Sequence, residues 1–189
     1  MFKNWISVLT KPGETFRQEK ENANINEAIK GIVAAGIIAG ILFFIDMNIS
    51  LCFDEPNIII GTYPGFFESI IMSMATMIYL PLYGIINLAI LSGILHVSAK
   101  FFGGNGTLTT QTYLISLFFA PIFVIYFFTA LFVSPVVIIF IPYFLYLLTL
   151  ALKETHNYGT KNSVLTWIAP IGCIGIFVSI LLLFSSIFQ

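Results

Sequence analysis

Few side chains in this chain of 189 residues are able to carry chemistry: two His, two Cys, nine Asp or Glu, and eight Lys or Arg. His96 and His156 stand far apart, and neither belongs to a His-Glu-x-x-His motif or another paired-ligand spacing. Cys52 and Cys173 form no metal-ligand pattern. Asp46 and Glu68 read as helix-end charges reaching water rather than as an acid/base pair. Glu68 in a first turn also suits the positive end of its helix dipole. Catalysis needs titratable groups positioned together. The reading is therefore a non-enzyme, with no catalytic residues, no metal and no cofactor.

Two short segments offer binding chemistry instead. Lys100-Phe-Phe-Gly103-Gly104-Asn105-Gly106-Thr107 leads directly into an apolar helix. No Gly-Lys-Ser/Thr follows, so it is not a nucleotide-binding loop. It does combine backbone amides, a helix N-terminus and a Lys, parts that favour a phosphate. The second segment supplies Lys153, His156, Asn157, Tyr158, Gly159, Thr160 and Lys161, and again opens into a helix. Together they are expected to form a face holding lipid headgroups or a partner's acidic segment. The alternative is two turns that only join helices.

The elements that must position these segments follow from where charge is missing. Hydrophobic side chains make up 58% of the chain and charged ones only 9%, against nearer a quarter charged in a soluble domain. Ser69–Ala99, Phe101–Leu152 and Asn162–Gln189 carry no charge. Crossing a bilayer takes roughly 20 apolar helical residues, and Phe101–Leu152 is too long for one span and right for two, with a break at Ser134-Pro135. Expected spans are Asn24–Met47, Phe66–Ala99, Leu108–Val133, Val136–Leu152 and Ser163–Phe188. Lys3, Lys11, Arg17, Lys20, Lys30, Lys100, Lys153 and Lys161 then all fall on one side, the cytoplasmic one. The fold class is an all-α polytopic membrane protein with five transmembrane helices, N-terminus inside and C-terminus outside. Residues 25–189 form one transmembrane domain, and the cell membrane is the expected location. No nucleic-acid footprint is present.

Residues 1–24 form a cytoplasmic N-terminal segment. Phe2, Trp5, Ile6 and Leu9 recur at helical spacing, giving a short amphipathic helix. Its apolar face either lies in the inner interface, with Trp5 at headgroup level, or packs onto the bundle's own end. Pro12-Gly13 ends it. No apolar run of a cleavable signal peptide precedes Pro12.

Within the spans, Ala35/Ala39 and Gly36/Gly40 repeat small residues four apart, allowing close helix approach in lipid. Pro81, Pro121, Pro142 and Pro170 lie inside helices as expected kinks. Asn87 is expected to hydrogen-bond a neighbouring helix, because its amide is costly facing lipid. In the outer loop, Asp54-Glu55 lacks the ligands for a hard-cation site. No internal repeat marks the inverted halves of a secondary transporter.

The chain resembles the Yip domain family in several places. They are Trp5…Leu9-Thr10-Lys11-Pro12-Gly13-Glu14-Thr15-Phe16, a Gly/Ala-rich first span, Leu95-His96…Phe102-Gly103-Gly104-Asn105-Gly106-Thr107…Gln111-Thr112…Pro121, and Leu152-Lys153…His156…Gly159…Lys161. The resemblance, closest to the prokaryotic branch, implies five spans and an inside N-terminus. It supplies no catalytic residues. Eukaryotic members interact with Rab-type GTPases, but their longer N-terminal regions have no counterpart here, so that role does not carry over.

The expected function is a non-catalytic membrane organiser or docking scaffold acting through its cytoplasmic face. Its partners would be membrane lipids and another membrane or membrane-associated protein. Candidate binding residues are Trp5, Phe16, Lys100, Gly103, Gly104, Asn105, His156 and Lys161. A rival reading is a transport component binding a small solute or lipid among its kinked helices, with Pro81, Asn87, Pro121 and Pro170 lining a cavity.

Overall fold

The computed structural model describes residues 2–52, 66–132 and 136–187, and these form seven α-helices with no strand among them. Two short helices come first, α1 (Phe2–Thr10) and α2 (Pro12–Glu19), followed by a 3-10 turn at Lys20–Asn22. Five long ones follow: α3 (Ile25–Cys52), α4 (Phe66–Phe101), α5 (Leu108–Phe132), α6 (Val136–His156) and α7 (Thr160–Ile187). Among the described residues, α3, α4, α5 and α7 are long and apolar enough to cross a membrane. The outer-loop residues Asp54, Glu55, Pro56 and Pro64 and the break at Ser134-Pro135 lie outside the described residues.

Small residues decide how α3 and α4 pack. A Cβ on Gly36 would lie 2.5 Å from Pro81 Cα, and one on Gly40 2.8 Å from Met77 Cα. On the other side, a Cβ on Gly84 would lie 2.8 Å from Ile32 Cγ2. Position falls on α4 as it rises on α3, so the two helices run antiparallel with their backbones in close approach. The Gly36/Gly40 pair read from the sequence thus closes a contact within one chain. α4 continues through Pro81, and α5, α6 and α7 through Pro121, Pro142 and Pro170.

α5 is the central helix, packed against α3, α4, α6 and α1. Its buried side chains Leu114, Ile115 and Phe118 are fully enclosed. Phe118 meets Phe144 of α6 and Phe16 of α2 edge-on, at 5.4 and 6.1 Å between ring centroids. α7 packs on α4 and α6, but from Ile171 to Ser179 every residue is exposed.

The N-terminal helices are part of the bundle. Lys11 bends the chain and Pro12 opens α2 at its first turn, where a missing N–H costs nothing. Tyr143 Oη donates to Leu9 O, and Tyr113 Oη to Glu19 Oε2, each at 2.5 Å. Trp5 is only 7% exposed and Phe16 fully buried. Of the two readings for the apolar face of α1, packing on the bundle is the one realised, and Trp5 does not sit free at headgroup level. Ile6, expected on the same apolar face, is instead exposed.

Candidate docking site at the basic end of the bundle

Every Lys and Arg lies at one end of the bundle. They occupy α1 to the 3-10 turn, the first turns of α3, the last turns of α4 and α6, and the start of α7. Antiparallel packing brings these positions together. Lys30 bonds Glu27 at 2.7 Å, and Arg17 reaches Glu154 at 4.0 Å, both near water.

Two turns shape this end, each built by a residue that tolerates positive φ. α4 stops at Gly103 (φ +81), whose N–H donates to Lys100 O at 3.2 Å while Gly104 N–H donates to Ala99 O at 2.9 Å. That pair of bonds is a Schellman cap. Thr107 then caps α5, accepting Thr110 N–H on Oγ1 at 3.2 Å. α6 stops at Asn157 (φ 54), whose N–H donates to Lys153 O.

His156 locks the two turns together. Gly106 N–H donates to His156 Nδ1 at 3.0 Å, and Asn105 N–H to His156 O at 3.4 Å. Asn162 Nδ2 donates to Phe102 O at 3.1 Å, and Lys20 Nζ to Asn157 Oδ1 at 2.6 Å. Gly104 is required by proximity, since a Cβ there would lie 2.6 Å from His156 Nδ1. Tyr158 stacks on the imidazole at 5.4 Å, and its hydroxyl pairs with Thr166 Oγ1 at 2.7 Å.

Behind His156 stands Gln111. Its Nε2 donates to Ser92 O at 2.9 Å, which leaves Oε1 as an acceptor for His156 Nε2 at 2.8 Å and His96 Nδ1 at 3.1 Å. These partners assign the tautomers. His156 must accept on Nδ1 and donate from Nε2, so it is neutral, while His96 donates from Nδ1. Burial first, then the neighbouring His96, Lys100 and Lys20, bring the His156 pKa down to about 4. Both of its ring nitrogens are occupied, so it is a structural pin rather than a general base.

What remains open at this end is positive and rich in donors. Lys100, Gly103, Asn105 and Lys161 are exposed on the rim, with Lys100 Nζ donating to Gly106 O at 3.2 Å. Among the described residues no three His, Cys, Asp or Glu side chains gather as a metal site would need. The arrangement favours an anionic group docked from outside.

The candidates from the sequence therefore separate. Lys100, Gly103, Asn105 and Lys161 form the rim; Gly104 and His156 hold it from within; Trp5 and Phe16 belong to the core. Asn87 does not reach a neighbouring helix as expected, because its Nδ2 donates to Tyr83 O of its own helix at 2.8 Å. Gln111 was missed as a site residue. Its signal was a lone amide at the end of the first turn of an uncharged helix, where only a buried partner offsets its cost.

A family model described as the Yip1 domain matches residues 6–183. No curated protein and no solved structure matches the chain.

Proposed function

Because the chain belongs to the Yip1 domain family, we propose that this integral, multi-pass membrane protein is a non-catalytic scaffold that organises or docks partners through the basic end of its bundle. Residues 25–189 are its transmembrane domain, and the uncharged part of α6, Val136–Leu152, makes the fifth crossing, with Lys153 to His156 at the basic end. The N-terminus and the basic end then face the cytoplasm and the C-terminus the outside of the cell membrane, since basic residues are retained inside. Residues 1–24 cap the inner end, with the exposed side of α1 against the headgroups.

One observation supports this reading above the others. The turns after α4 and α6 are pinned to each other by His156, so Lys100, Asn105 and Lys161 are presented on a fixed surface rather than on loose loops. A preorganised positive surface loses little entropy on binding an acidic segment or an anionic headgroup.

A photo-reactive residue placed at Asn105 in native membranes tests it. Crosslinks to a protein or an anionic headgroup are expected there, and lost in the Lys100→Gln/Lys161→Gln variant. Absence of such crosslinks, or their persistence in the double variant, contradicts docking through this end.

A further inference from the structure

A second binding feature lies at the centre of the bundle, away from the basic end. α4 is drawn onto α3 through Gly36 and Gly40, and a cleft of about 710 Å³ remains between α4 and α5, with Phe43 of α3 and Phe144 of α6 also lining it. That volume is typical of sites for drug-sized ligands. Tyr79 and Tyr126 on its walls are about half exposed, so the cleft opens sideways toward the lipid.

Its lining is unusual for a lipid-facing groove. Eight of the twelve lining residues are aromatic. Tyr79 and Tyr83 stack at 5.5 Å, and Phe123 lies 6.3 Å from Tyr83 and 4.9 Å from Phe127. A second cleft, between α4 and α7, has only Phe101 and Phe102 as aromatic residues among nine, the others being mostly small or aliphatic. Aromatic faces favour flat, unsaturated guests held by offset stacking.

Three polar groups of the first cleft fall in one row. Tyr79, Tyr83 and Asn87 are spaced four apart on α4, each at least about 20 Å from either helix end and so near mid-membrane. Asn87 spends one N–H on Tyr83 O and keeps a second N–H and Oδ1. The Tyr79 and Tyr83 hydroxyls take no hydrogen-bond partner among the described residues. Acyl chains offer such groups nothing, and polar groups at this depth are expensive when unpaired.

We propose that this cleft binds a planar, unsaturated ring bearing carbonyl oxygens on a hydrocarbon tail, the chemistry of an isoprenoid quinone. The ring stacks against Tyr83 and Phe123, its oxygens accept from the Asn87 amide and the Tyr hydroxyls, and the tail leaves through the lateral opening. The cleft lies within the bundle, so this binding is independent of docking at the basic end.

The test uses the full chain in detergent or nanodiscs with a 1,4-naphthoquinone carrying one isoprenyl unit. Equilibrium binding at one site is expected, weakened tenfold or more in the Tyr83→Phe/Asn87→Leu variant, which keeps the aromatic face and removes two of the three polar contacts. A saturated alkyl probe of equal length should bind the unaltered chain at least tenfold more weakly, a comparison that needs no variant. Equal binding of the saturated probe, or unchanged quinone affinity in the double variant, would show that the cleft holds only bilayer chains and overturn the proposal.

Discussion

Gln111 and His156 meet across 45 positions of sequence, with Gln111 Oε1 2.8 Å from His156 Nε2. The contact joins the first turns of α5 to the last residue of α6. Through the opposite ring nitrogen, it continues to Gly106 in the turn before α5. Three polar groups buried at one helical end are thus satisfied by one another.

Removing either partner leaves buried donors without acceptors. His156→Ala strands Gly106 N–H and opens a void beside Gly104, and is expected to lower stability by about 2–4 kcal/mol. Gln111→Leu keeps the volume but deprives His156 and His96 of their acceptor, for a loss of about 1–3 kcal/mol. Thermal unfolding in detergent should show both losses.

The same pin makes stability fall with acid. His156 takes a proton near 6.5 when unfolded and only near 4 when folded, chiefly because it is buried. Stability from this group is therefore constant above pH 6.5, declines as pH falls from 6.5 toward 4, and levels off below. Its span is up to about 3 kcal/mol. Protonation at Nδ1 would set two donors against each other at Gly106. His156→Gln should be less stable at neutral pH yet lose this slope in melts across the same range.

Glycines at membrane depth divide into two kinds. Gly36→Ala forces a Cβ to within 2.5 Å of Pro81 Cα, so α3 and α4 must separate, with an expected loss of several kcal/mol. Gly172→Ala and Gly175→Ala meet nothing within 4 Å, and should be neutral or gain up to about 1 kcal/mol of helix propensity. Unfolding of the three single variants side by side checks the contrast.

Most of the bundle was legible because apolar length and charge gaps fix helix limits. The span expected from Phe66 begins at Phe66, and the one expected from Leu108 begins at Leu108. Gly103 and Pro12 marked real helix ends, one by positive φ and the other by its place in a first turn. Tertiary partners were not legible. Trp5 and Phe16 are equally at home among headgroups or in a core, and only the fold placed them inside. Asn87 places one amide N–H on a carbonyl four residues back on its own helix, which sequence could not distinguish from a neighbour. Gln111 joined two histidines that sequence left unconnected.

Rim charges should matter for docking and little for folding. Arg17 and Glu154 are 4.0 Å apart with Arg17 largely in water, so Arg17→Gln should change stability by less than about 1 kcal/mol. Lys100→Gln with Lys161→Gln should likewise unfold near the temperature of the unaltered chain while losing retention on anionic vesicles. That retention should also weaken with salt.

The placement of all basic groups on the inner side is tested most directly by cysteine labelling. Cys52 and Cys173 are first replaced by Ser, and single cysteines are introduced at Asn105, Lys161 and Gln189. An impermeant thiol reagent should label Gln189→Cys in intact cells, and Asn105→Cys and Lys161→Cys only after permeabilisation. Protection of Gln189→Cys in intact cells, or labelling of Asn105→Cys and Lys161→Cys from opposite sides, would contradict the five-span arrangement.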